Sequence, residues 1–291
     1  MGFKVVKASA PADRDRRYPA WSTSAVPAVG QTGPVPVPSE LLSRGEVFAT
    51  IDHPHTTSHG LRTHSGERVF VKTATREHRW TLELAIRFHG AVRAPHVVGM
   101  LDHWELADGG LAVVHPWVDG ENLNDPAVPG ALPRTDPASA ASRFIAQETP
   151  VVLECLDKII GAHQSVARQG CVAVDFYDGC ILWDFERQEL HLVDLDHYRP
   201  PYRLDRERQL GSTRFMAPEE FTRGAWIDQR TTVFTLGRCV QVLLGPDGRD
   251  RIDDRLLGVV LRAIADDPAD RHPSVAAFAT DWFAARIAEH R

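Results

Sequence analysis

The hydrophobic period changes along this chain, and that change limits the folds open to it. Between Glu46 and about Val118, the apolar runs Val69 to Lys72, Val97 to Leu101 and Leu111 to Val114 have the length and composition of strands. One stretch of helical spacing, Glu77 to Phe88, separates the first two. A further helix is expected from about Val151 to Gln169, and from Asp228 onward the spacing predicts helices at Val233 to Leu244, Leu256 to Ala265 and Ser274 to Ala288. Gly170 and Gly211 mark breaks, and no internal repeat is visible. The expected class is α+β: a small sheet with one helix, then a larger, mainly helical part.

The segments outside these runs are compositionally distinct. Residues 1–45 are expected to form a flexible arm or an extended wrap, because Ala8 to Ser39 is rich in Pro, Ala, Ser and Thr with little periodicity. Asn124 to Thr149 is Pro- and Ala-rich and reads as a loop insertion. At 291 residues and 43% apolar content the chain can bury a substantial core. A formal charge of −6 carries no basic excess, which argues against a nucleic-acid partner. Cys155, Cys171, Cys180 and Cys239 form neither a paired-Cys metal motif nor a disulfide framework, as expected of a reducing compartment. No apolar run is long enough to span a bilayer and no signal-peptide apolar region is seen. Gly2 invites a myristoylation reading, but Val6 stands where that motif has Ser or Thr. The expectation is a cytoplasmic protein without a membrane partner.

Three motifs carry chemistry. Gly211 to Glu220 reads Gly-Ser-Thr-Arg-Phe-Met-Ala-Pro-Glu-Glu; it follows Val193-Asp194-Leu195-Asp196 and precedes Arg271 in Asp-Pro-Ala-Asp-Arg-His-Pro-Ser. In order and spacing these resemble the activation segment of a protein kinase. From about Glu46 to Phe283 the chain is similar to a divergent, bacterial-type Ser/Thr protein kinase of the protein-kinase-like superfamily. That resemblance implies a bilobal fold, with a small antiparallel-sheet N-lobe bearing one helix over residues 46–118 and a mainly helical C-lobe over 119–291, joined near Trp117 to Gly120. The Ala-Pro-Glu segment favours a protein-kinase lineage over related small-molecule kinases.

The resemblance also implies roles. Lys72, ending Val-Phe-Val-Lys, takes the place of the Lys that contacts the nucleotide α- and β-phosphates and pairs with a Glu on the following helix. Glu83 is the expected partner and Glu77 the alternative. His115 takes the gatekeeper place, with Pro116 and Trp117 in the adenine-binding hinge. Asp175 takes the catalytic-base place, Thr213 that of the Thr which helps position it, and Asp194, nineteen residues after Asp175, that of the metal-binding Asp. Glu219 and Arg271 match a buried structural ion pair. ATP and Mg²⁺, with Mn²⁺ as an alternative metal, are the implied cofactors.

The departures are also specific. Ala173 and Val174 replace the His and Arg before the catalytic Asp, Tyr177 replaces a Lys, and Cys180 stands where an Asn binds Mg²⁺. A neutral thiol is a poor ligand for that hard cation, so Asp178 or Asp196 is expected to supply the missing oxygen. In an extended segment Asp194 and Asp196 would point to the same side. Thr232 stands where the family has an Asp that anchors the catalytic loop, a change paired with Ala173. Without the Arg before Asp175, control by phosphorylation of the segment is not expected. The phosphate-covering loop, Ile51 to Gly60, lacks its usual glycines and carries His53, His55 and His59, with His64 beyond; these are candidates to contact phosphate or metal.

Three functions follow as expectations. The first is transfer of the ATP γ-phosphoryl group to a Ser or Thr hydroxyl. The second is transfer to a small-molecule hydroxyl such as that of an antibiotic or nucleoside, suggested by Tyr177 and the missing Arg. The third is a pseudokinase acting as a binding or scaffold module, suggested by Cys180 and the missing glycines.

Overall fold

The computed structural model describes residues 37–124 and 130–289. The expected arm as far as residue 36, with Gly2, and residues 125–129 of the expected insertion lie outside the described residues. A short helix, α1 (Ser39–Leu42), leads into β1 (Gly45–Asp52), β2 (Thr57–Thr63), β3 (Arg68–Ala74), helix α2 (Arg79–Ala91), β4 (Asp102–Glu105) and β5 (Leu111–Pro116). The strands form an antiparallel sheet in the order β1-β2-β3-β5-β4. Strand alternation gives each face its own core. Val71, Ala112 and Val114 pack with Leu41, Leu61 and Leu106 on one face, and Ala74, Leu111 and Val113 pack with Leu82 of α2 on the other.

The run Val97 to Leu101 is not a strand of this sheet, contrary to expectation. Its first residues lie at the join to the helical part instead, where Val98 N–H donates to the Leu192 carbonyl at 2.9 Å and Leu192 N–H to the His96 carbonyl at 2.7 Å, while Leu101 is exposed. The edge strand is the neighbouring, polar Asp102-His-Trp-Glu. A charged edge resists pairing with another chain.

The mainly helical remainder contains β6 (Glu121–Asn122), α3 (Ala140–Ile145), α4 (Thr149–Arg168), β7 (Ile181–Asp184), β8 (Glu189–Leu192), β9 (Tyr202–Arg203), β10 (Trp226–Ile227), α5 (Gln229–Leu244), α6 (Asp254–Ala263) and α7 (Val275–Glu289). Thus the expected loop insertion holds a helix, α3, started by Ser139, whose hydroxyl accepts from Ser142 N–H at 3.1 Å. Asp228 and Asp253 cap α5 and α6 in the same way. Gly245 ends α5 at φ 82°, with Ile145 so close that a Cβ would lie 2.5 Å from its Cγ2. Trp183, Phe144, Phe278 and Trp282 lie in one continuous core with α4 to α7, and Cys155, Cys180 and Cys239 are fully buried in it. Among the described residues no helix is long and apolar enough to cross a membrane.

One ion pair ties the loops of this core together. Arg271 donates to both carboxylate oxygens of Glu219, at 2.8 and 2.9 Å, and also to the carbonyls of Ala265, Asp266 and Arg230. Thr231 Oγ1 donates to Glu219 Oε1 at 2.8 Å. The Arg271 side chain is 0% exposed, so removing its partner would leave an uncompensated buried charge. Glu219→Ala is expected to lower stability by about 3–5 kcal/mol, read as a reduced urea midpoint at unchanged m-value; a change below about 1 kcal/mol, the range of an exposed pair, would contradict it.

Candidate functional site

Alternation along β3 sets the site. Val69 and Val71 serve the α1-side core, so Phe70, Lys72 and Ala74 face the other way, toward α2. The register places Lys72 opposite Val113 and Phe70 opposite His115. On α2 the buried residues are Thr81, Leu82, Ala85, Phe88 and His89, a stripe at helical spacing. Lys72 therefore ends in a buried space between sheet, helix and the loop that follows β8.

There its ammonium meets two carboxylates. Nζ donates to Asp194 Oδ1 in a short contact and to Asp196 Oδ2 at 2.6 Å. Burial alone would lower the Lys72 pKa; the two aspartates reverse that and hold it raised. Burial would likewise raise Asp196, but Lys72 and His89 outweigh it and hold the carboxyl well below its usual range. The convergence does not come from an extended segment: Asp194 has φ 58°, and Asp196 is buried rather than a solvated turn residue. Asp175 also adopts a left-handed conformation, φ 61°. Such geometry is strained for a non-glycine residue and gathers at functional sites. Burial, then the charge of Asp194, pushes Asp175 up to about 7, against a relief from Lys72.

Other expected site residues lie elsewhere. Glu83 accepts from Arg79 Nε at 3.1 Å, not from Lys72. It sits on the side of α2 away from the buried stripe, whereas Glu77 precedes the helix and is exposed. Asp196 takes the partnership with Lys72 instead. Asp178 is not a free metal ligand: fully buried, it receives both guanidinium nitrogens of Arg214 at 2.9 and 2.8 Å, a short contact from Arg134, and Asn124 Nδ2 at 3.2 Å. Thr213 is exposed. Thr232 Oγ1 accepts from Ala173 N–H at 3.0 Å and so anchors the loop before Asp175. The Cys180 thiol points to the Asp175 carbonyl at 3.4 Å, and burial raises its pKa well above normal, so it supplies no oxygen and no thiolate.

A cavity of about 270 Å³ opens beside these groups. Ile51, Phe70, Val98, Leu182 and Leu192 give it apolar walls, His115 and Pro116 to Val118 line one side, and Lys72, Asp194 and Asp196 line its charged end. The Trp117 N–H is taken by the Arg68 carbonyl at 3.4 Å. Ile51 to Gly60 forms the β1–β2 hairpin, closed by His53 N–H to the Thr56 carbonyl at 2.9 Å. Gly60 packs closely under two rings: a Cβ there would lie 2.6 Å from the outer edge of the Phe48 ring and 3.0 Å from Trp117, so the half-exposed Phe48 would have to shift. The four histidines do not converge: His53 reaches the cavity, His55 lies in tilted contact with His78, His59 is bonded to Thr50 and Thr73, and His64 to the Ser43 carbonyl.

Two cavity residues escaped the sequence reading. Ser58, opposite Lys72 in the register, lines the cavity with its Oγ buried and without a hydrogen-bond partner. His89 approaches Asp196, Nε2 to Oδ1 3.8 Å. The signal for His89 was a polar residue inside the apolar stripe of α2; Ser58 had none. The chain matches no protein-family model, and no curated protein is similar enough to be matched.

Asp175 gives a pH prediction. Its folded pKa of about 7 lies above the reference value of 3.8, so between these pH values the folded state keeps a proton that the unfolded chain loses, and stability falls as pH rises through that window. Asp175→Asn, which mimics the protonated carboxyl, is expected to be more stable than the parent at pH 8 and progressively less so towards pH 5. Urea midpoints at the two pH values check this; a constant difference would refute the raised pKa.

Proposed function

We propose that this chain is an ATP-dependent phosphotransferase of the protein-kinase-like type, bilobal in architecture, which transfers a γ-phosphoryl group to a Ser or Thr hydroxyl. The observation that carries the reading is the meeting of Lys72 and Asp194 at the charged end of an apolar-walled cavity, with Asp175 held electrostatically close to both.

The residues fit the nucleotide. Apolar walls suit a planar base, and the unpartnered Ser58 hydroxyl beside Lys72 is a donor without an acceptor, as a phosphate-binding end requires. Asp194, half-exposed, is the carboxylate available to Mg²⁺, because Asp196 is buried against Lys72 and Asp178 is held by arginines. ATP would bring the transferable phosphoryl group, and Mg²⁺ would spread its charge.

The chain's own groups do the rest. Lys72, kept charged by its carboxylates, presents a fixed positive charge to phosphate oxygens. Asp175 accepts the hydroxyl proton; with its pKa near 7 it is ionised enough to act as a base at neutral pH. Thr232 holds the backbone before Asp175, and Arg214 fastens Gly211 to Glu220 to Asp178. Cys180 favours a second reading, a pseudokinase that binds nucleotide without turnover, since one oxygen ligand to a metal is replaced by a buried thiol.

The test is transfer of labelled phosphoryl from ATP. Asp194→Asn is expected to abolish it, and Asp175→Asn to slow it by about 10²–10⁴. The parent rate should rise with pH through about 7 as Asp175 ionises. Metal-dependent stabilisation by ATP without any transfer supports the second reading, and an Asp194→Asn variant of undiminished rate refutes the first.

A further inference from the structure

We propose that the back of the cleft is a binding site for one divalent transition-metal ion of the zinc type, held by His89 of α2, His115 of β5 and Asp196. This inference stands apart from phosphoryl transfer: it needs neither ATP nor turnover.

Each of the three residues offers one ligand atom, all three atoms lie within 4.8 Å of one another, and all three residues are buried. His115 is already oriented as a ligand. Its Nδ1 lies 3.1 Å from the Gly99 carbonyl. A carbonyl only accepts, so Nδ1 carries the proton and the Nε2 lone pair is left to coordinate. Metal-bound imidazoles are held in this way, through a hydrogen bond from the other ring nitrogen.

His89 and Asp196 leave a gap of the right kind. Nε2 to Oδ1 is 3.8 Å, too long for a hydrogen bond. It is close to the separation of about 3.3 Å that two ligands have around one tetrahedral ion with bonds of ~2 Å. The widest approach in the cluster would need to close by about 1.5 Å. Asp196 divides its two oxygens: Oδ2 is held by Lys72 at 2.6 Å, which turns Oδ1 toward His89. The metal would take Oδ1 without displacing Lys72.

Charge and ligand chemistry agree. Buried Asp196 and half-exposed Asp194 against Lys72 leave this group with one net negative charge if the imidazoles are neutral. Two imidazoles and a carboxylate suit zinc, and disfavour Mg²⁺, which prefers oxygen. Three protein ligands leave a fourth position, and all three residues line the cavity.

The test uses the full chain stripped by a chelator. Zn²⁺ titrated in competition with a chromophoric zinc indicator is expected to bind one ion per chain, and millimolar Mg²⁺ should not displace it. His89→Gln and His115→Gln should each weaken binding by at least about tenfold, whereas His64→Gln, at an exposed position, should not. Absence of stoichiometric binding, or binding undiminished in both cavity variants, would overturn the site. Should the variants fail to fold, Co²⁺ added to the parent decides: intense visible bands of a four-coordinate ion support the site, and the weak spectrum of hydrated Co²⁺ refutes it.

Discussion

The ammonium of Lys72, clasped by Asp194 and Asp196, is the interaction on which the rest of the cleft depends. It joins the middle strand of the sheet to the loop beyond β8, which also packs Tyr198 against Phe88 of α2. A buried ammonium is tolerable only when paired, so the two carboxylates are brought to it even though one of them adopts a left-handed backbone. The same demand shapes the neighbours. A third carboxyl, Asp175, lies near enough to feel Asp194 and holds its proton to higher pH. Burial, with Lys72 and His89 adding to it, depresses His115 to about 4, so that imidazole stays neutral despite the opposing pull of Asp196.

Elsewhere the helical part follows the same rule. Each deeply buried charge has a partner of opposite sign and extra hydrogen bonds: Arg271 has Glu219 and three carbonyls, Asp178 has Arg214, Arg134 and Asn124. Such pairs add little to net stability compared with apolar packing, but they make alternative arrangements costly. Glu220 is the exception. Its carboxylate accepts only the Ala217 N–H at 2.7 Å from a polar group, and burial raises its pKa to about 8. At neutral pH it keeps its proton, which is the cheaper way to bury a carboxyl without a cation.

The α+β class and the helices of the second half were legible because their signal is local: periodicity needs only neighbouring residues. Boundaries moved by a few residues, as with α2, expected from Glu77 and found from Arg79. Val97 to Leu101 misled because apolar residues at a join look the same in sequence as apolar residues inside a sheet. At the site, order and spacing singled out Lys72, Asp175 and Asp194, and the fold brings Lys72 and Asp194 into contact. Their partners were not legible in this way, because pairing depends on which helix face turns inward and on what competes for a carboxylate. Glu83 lost to that geometry, and Asp178 was claimed by Arg214 and Arg134, which lie far from it in sequence. Ala173 and Thr232 were singled out together in the sequence, and the hydrogen bond from the Ala173 backbone to Thr232 shows that they meet.

The clasp between Asp178 and Arg214 has a consequence for control. Both charges are written into the polypeptide at synthesis, so the order of Gly211 to Glu220 is inherited rather than acquired. The fastening is made by two side chains of the chain itself and needs no added group to form. Anything that freed the segment would have to compete with Arg214 for a fully buried carboxylate.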